Sequence, residues 1–138
     1  MISLIIGNKG SGKTKHLITL LNEAVEKSSG NVVCVEKEPN LRYNVTYRAR
    51  LVDTDTFGVS GADAFYGFLS GIVASDHDIT EIFIDATLKI IGRDCEALAD
   101  MLERLNKISS ENDVHFVMTV SAAAEEIPER VFSFAEKI

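Results

Sequence analysis

The sequence has no tryptophan, two prolines, two cysteines and three histidines among its 138 residues. Each shortage excludes something. Cys34 and Cys95 fall in apolar stretches without metal-ligand spacing, so neither a disulfide scaffold nor a zinc lobe can be built. They read as buried free thiols in a reducing compartment. His16, His77 and His115 share no spacing that suggests a metal site, and His115 reads as a hydrogen-bonded residue of a buried strand. No stretch approaches the roughly 20 apolar residues of a membrane span. The amino terminus lacks a basic region, and its apolar run soon ends in glycine, unlike a secretory leader. A cytoplasmic protein is expected. Basic residues are also scarce, 14 against 21 acidic ones, for a net charge of -7. That charge does not support sequence-independent nucleic-acid binding as the main function, although a local basic patch stays open.

What is present is an ordinary globular mixture, 46% apolar and 25% charged, long enough for one domain over residues 1–138. Ile2 to Ile6 is a short apolar run, as in a strand buried on both faces. Leu17, Leu20, Leu21, Ala24 and Val25 then recur at helical spacing, with Gly30 suited to a left-handed C-cap. "NVVCVE" reads as a second buried strand, broken by "KEPN". In "VTYRARLVD", Val45, Tyr47, Ala49 and Leu51 alternate with Thr46, Arg48, Arg50 and Val52, predicting a strand with one wetter face.

A helix over Ala62, Phe65, Phe68, Leu69, Ile72 and Val73 follows, then the strand "EIFIDA". The aromatics Phe65, Tyr66 and Phe68 fit a packed helix face. A further helix runs from Asp94 to Ile108, before the strand "VHFVMTVS" and a closing helix from Pro128 through Val131, Phe132 and Ala135. Strands alternating with helices predict an α/β fold: three layers, α/β/α, around a mainly parallel five-stranded sheet.

Directly behind the first strand, Gly7-Asn8-Lys9-Gly10-Ser11-Gly12-Lys13-Thr14 meets G-x-x-x-x-G-K-[ST] at each fixed position. Glycines let the chain fold into a loop whose amides point at an anion, and the following helix adds its positive end. Lys13 supplies a cation for β- and γ-phosphates, and Thr14 a hydroxyl for Mg²⁺. Ile82-Phe83-Ile84-Asp85, an apolar strand ending in a carboxylate, completes the pattern as the Walker B aspartate that orients water on Mg²⁺.

With these motifs the chain resembles a P-loop NTPase, and its element order is similar to the RecA-like ATPase core. It also resembles short P-loop proteins labelled twitching-motility ATPases. The additional domain and the acidic and histidine motifs of full-length motors are missing, so motility is not implied. The resemblance implies ATP and Mg²⁺ as ligands and a catalytic glutamate after the Walker B aspartate or at the end of the strand following the P-loop helix. Ala86 follows Asp85, which leaves Glu36 and Glu38 in "VVCVEKEP", and the RecA pattern laid without gaps falls on Glu38. Thr119 and Ser121 stand where the family carries a polar γ-phosphate sensor, though neither is its usual glutamine. Arg93, Arg48 and Arg50 read as surface or interface cations rather than an arginine finger. The extra lysine of ParA/MinD-type ATPases would fall on Asn8, so the loop is not of that type.

The sequence thus points to a Mg-dependent ATPase acting through a protein partner or a homo-oligomer. A non-hydrolysing nucleotide switch is the alternative. A small nucleoside or nucleotide kinase is a weaker one, because Arg93, Arg104 and Arg130 are dispersed rather than gathered in a lid. No N-K-x-D segment marks guanine, so adenine is the default base.

Overall fold

The structure, a computed structural model, describes all residues Met1–Ile138. Strands β1 (Ile2–Gly7), β2 (Asn31–Glu36), β3 (Arg50–Asp53), β4 (Ile79–Asp85), β5 (His115–Ser121) and β6 (Ala135–Lys137) form one sheet in the order β3-β2-β4-β5-β1-β6. Every pairing in it is parallel. Helices α1 (Lys13–Lys27), α2 (Ala62–Ser75), α3 (Thr87–Ile91) and α4 (Cys95–Asn112) occupy the connections. The central strands β1, β2, β4 and β5 are the near-continuous apolar runs, because both of their faces are covered. One face packs Ile2, Leu4, Ile82, Ile84, Phe116 and Met118 against α2 and α4. The other packs Ile5, Val32, Cys34, Phe83 and Val117 against Leu17 and Leu21 of α1. No helix is long and apolar enough to cross a membrane.

The α/β class and parallel sheet agree with the sequence reading, but the sheet has six strands rather than five. The sixth comes from the segment expected to close as a helix. Only a 3-10 turn forms, over Glu129–Ser133, and Ala135–Lys137 then pairs with Ile2–Leu4. The open edge of β1 offers ladder hydrogen bonds, and the amide of Ile138 donates to the Leu4 carbonyl at 2.9 Å. Three residues are too few to show a period of two.

The strand expected from Val45 begins only at Arg50. Before it, Leu41, Val45 and Ala49 are buried at four-residue spacing, while Tyr47, expected on the same face as Val45, is 94% exposed. The short helix α3 was not legible as a separate element. Asp94 caps α4 as its position suggests, accepting from the amides of Glu96 and Ala97 at 3.0 and 3.2 Å.

Gly30 does not cap α1, which ends at Lys27 with Ser28 as its C-cap. Its role is close approach: a Cβ there would lie 2.1 Å from the Asp78 carbonyl oxygen and 2.7 Å from Thr80 Cγ2. Gly30→Ala is expected to lower unfolding free energy by about 1–3 kcal/mol through overpacking against backbone. Gly67→Ala, on an open face of α2, is expected to raise it by about 0.5–1 kcal/mol. Urea unfolding of both variants checks the contrast.

Candidate functional site

The parallel sheet brings the carboxyl ends of β1, β4 and β5 together, and the motif residues meet there. From β1 the chain enters a loop in which Gly10 and Gly12 take φ of 84° and 85°, a region that side-chain-bearing residues rarely adopt. Helix α1 starts directly at Lys13. The loop is closed by one bond, from the Ser11 amide to the Asn8 carbonyl at 3.1 Å. The amides of Gly10, Gly12, Lys13 and Thr14 have no partner within the protein. They are unpaired donors at the positive end of a helix, the arrangement that attracts an anion. Lys13 is 9% exposed, and its ammonium donates back to the Asn8 carbonyl at 2.8 Å.

Asp85, at the end of β4, joins three elements. Thr14 Oγ1 donates to its two carboxylate oxygens at 3.1 and 3.2 Å, and Thr119 Oγ1 of β5 donates to Oδ1 at 2.9 Å. Ser121 ends β5 opposite Gly7, and its carbonyl accepts from the Arg93 guanidinium at 2.8 Å. These residues line a cavity of about 720 Å³, together with Asn8, Lys9 and Lys13. Lys89 and Glu126 also line it, and neither belongs to a motif. Lys89 follows Asp85 by four residues, but its place depends on α3, whose five residues carry no readable period.

The two candidate bases lie beside this cavity rather than in it. Glu36 and Glu38 line a smaller adjoining pocket of about 80 Å³ with Asp85 and Lys89. Glu36 pairs with Asp85 in the sheet register and is 3% exposed. Its oxygens accept from the amides of Asn40 and Leu41 at 2.9 and 3.2 Å. Burial, then the charges of Asp85 and Asp53, push its carboxyl above the usual carboxylate range against the pull of those amides. Glu38 is exposed, with Lys37 3.7 Å away.

Outside the site, burial and the nearby Glu36 and Asp85 charges push the buried Cys34 thiol far up, so it is inert. Cys95 is only half-buried, less than expected. His115 Nε2 bonds the Ser3 hydroxyl at 2.7 Å, as its satisfied-core reading requires.

No family model and no curated protein sequence matches the chain. Among solved structures, a KaiC-like protein from the hyperthermophilic archaeon Pyrococcus horikoshii OT3 superposes with a TM-score of 0.66. The match covers 96% of this chain and 66% of that one at 19% identity. The chain has the RecA-like P-loop fold. The likeness at this identity concerns the fold, and the chain spans less than two thirds of that relative's length. In this RecA-like sheet β5 lies between β1 and β4, so the Asp85 carboxylate faces the P-loop across the strand that carries Thr119.

Proposed function

We propose that this RecA-like domain binds Mg-ATP and hydrolyses it, working through a partner or its own assembly. The observation that carries the reading is the convergence of the Thr14 and Thr119 hydroxyls on Asp85, beside a loop with four unpaired amides. Gly10, Gly12, Lys13 and Thr14 cradle the phosphates through their amides, with Gly7, Asn8, Lys9 and Ser11 shaping the loop. A Cβ on Gly7 would come within 2.5 Å of Ser11 Oγ and 3.3 Å of its Cβ, so a side chain there would displace the Ser11 hydroxyl. Lys13 leaves the Asn8 carbonyl for the β- and γ-phosphates, a short swing within the same cavity. The hydroxyl of Thr14 and the carboxylate of Asp85 are hard oxygens of the type that Mg²⁺ takes. An ion held by these two residues would supply positive charge against that building on the phosphates.

Glu38 is the base in this reading. Its exposed side chain is free to swing, and the pocket it lines borders Asp85. Thr119 holds Asp85 in orientation and senses the γ-phosphate. The non-hydrolysing switch remains the second reading, because both Glu36 oxygens are occupied by backbone amides and Glu38 lies outside the main cavity.

Phosphate release and thermal melting in parallel, with Mg-ATP and Mg-GTP, separate these readings. The expected result is release with ATP, slower release with GTP and a higher melting temperature with ATP. A raised melting temperature with no release under any condition establishes the switch. No response to either nucleotide refutes nucleotide binding.

A further inference from the structure

Four cations line the phosphate cavity: Lys9, Lys13, Lys89 and Arg93. Two are already engaged, Lys13 with the Asn8 carbonyl and Arg93 with that of Ser121, each at 2.8 Å. Lys9 belongs to the loop itself. Lys89 stands apart from all three. It has no ion pair, in a chain where 21 acidic residues face 14 basic ones. It also lines a second space. The pocket of about 80 Å³ that holds Glu36 and Glu38 shares three residues with the cavity: Asp85, Ala86 and Lys89. Lys89 is the one cation on that shared wall. Lys37, the other cation of the smaller pocket, does not line the cavity and is paired with Asp55 at 3.2 Å.

The fold fixes where Lys89 stands. Its neighbours in α3, Thr87, Leu88 and Ile90, are buried, so Lys89 is an exposed position on a pinned turn. The Lys89 amide donates to the Ala86 carbonyl at 3.1 Å, and the Gly61 amide, at the start of α2, donates to the Ile90 carbonyl at 3.0 Å. A fixed backbone therefore carries a long, flexible stem with an uncommitted ammonium. The smaller pocket has room for several waters, since one water needs about 10–15 Å³ of such space. On its wall toward the cavity, a water, a free cation and the end of a phosphate chain can meet.

We propose that Lys89 binds the γ-phosphate in cis, supplying the charge that P-loop enzymes otherwise draw from an arginine finger. This rests on the Mg-ATP reading of the site. In hydrolysis the water oxygen bonds the γ-phosphorus as the bond to the β–γ bridging oxygen breaks. Glu38 takes the water proton, and ADP leaves with the electron pair. The Lys89 ammonium keeps its protons and holds the non-bridging oxygens while charge spreads over them. Each copy of the chain then completes its own site, and Arg93 stays on Ser121.

Calorimetric affinities for β,γ-imido-ATP and for ADP, both with Mg²⁺, test this without need of turnover. Lys89→Ala and Lys89→Gln are expected to bind ADP as the wild type does and the imido analogue about tenfold more weakly or worse. Lys89→Arg, which keeps the charge at an exposed position, is expected to retain most of the analogue affinity. Melting without nucleotide is expected to stay unchanged, because the side chain has no ion pair to lose. Phosphate release from ATP is expected to fall about 10²–10³-fold in Lys89→Ala, with KM rising only as far as the analogue affinity falls. Mixing Lys89→Ala with Lys13→Ala is expected to restore nothing, since neither chain has a complete site. Equal weakening of both nucleotides, or of neither, overturns the role of Lys89 and leaves nucleotide binding standing. Release restored in the mixture overturns it by placing Lys89 on a neighbour's phosphate. A wild type that binds neither nucleotide refutes the Mg-ATP reading itself, and the role of Lys89 falls with it.

Discussion

Lys13→Ala is expected to erase nearly all of the rise in melting temperature that Mg-ATP gives the wild type. A ligand present at a hundredfold excess over its Kd stabilises the folded state by about 2.7 kcal/mol, on the order of 10 °C for a domain of this size. The lysine ammonium is the one side-chain cation inside the phosphate loop that is already buried, at 9% exposure, and its hydrogen bond to Asn8 is exchangeable for one to phosphate. Charge-assisted bonds of this kind contribute roughly 1.5–3 kcal/mol each. Losing them weakens binding by about a hundredfold, so the same nucleotide concentration then only matches Kd. What remains is about 0.4 kcal/mol, one or two degrees. Without nucleotide the variant loses little beyond the bond to Asn8, and its melting temperature stays near that of the wild type. Lys13→Arg is expected to fail similarly, because the planar guanidinium does not substitute for a compact point charge in a loop of this size. Equal nucleotide shifts in wild type and Lys13→Ala would refute the assignment of the loop.

The parts of the site that were legible in the sequence are those whose chemistry leaves a local pattern. The loop must carry glycines at Gly10 and Gly12 because the backbone takes positive φ there, and it must be followed by a helix start at Lys13. Asp85 was legible because a strand buried on both faces ends in a carboxylate. Thr119 was placed at the right strand end, but its bond to Asp85 depends on β5 lying beside β4, which no residue spacing states. Lys89 and Glu126 reach the cavity from α3 and a 3-10 turn, elements too short to carry a period.

The segment 41–49 misled for a different reason. Alternating residues imitated a strand, while burial at every fourth position put Leu41, Val45 and Ala49 inward and Tyr47 outward. Val45 and Ala49 satisfy both patterns, so only Tyr47 separates them. Tyr47 is therefore an exposed ring rather than a residue of the sheet.

Glu38→Gln is expected to bind Mg-ATP with unchanged affinity and to slow phosphate release by about 10²–10⁴-fold, the range of a lost general base. No hydrogen bond of the fold uses this side chain, which is exposed and has Lys37 as its ionic partner. Glu36→Gln is the contrasting variant. Glu36 ties residues Asn40 and Leu41 to the strand end through both carboxylate oxygens, and glutamine supplies one acceptor and a donor in their place. One buried amide is left unmatched, costing about 1–3 kcal/mol of stability. The cost varies with pH in a defined direction. Burial and the Asp85 and Asp53 charges raise the Glu36 pKa in the folded state, so its titration favours folding most below the ordinary glutamate range. That contribution is lost as pH rises through the raised value. The stability gap between wild type and Glu36→Gln is therefore expected to be widest in acid and to narrow toward neutrality, measured by urea unfolding across the range. Slow turnover in Glu38→Gln together with this pH profile in Glu36→Gln separates the base from the strut. Turnover that survives Glu38→Gln but not a folded Glu36→Gln would exchange the two roles, and turnover unaffected by either would remove both glutamates from the chemistry.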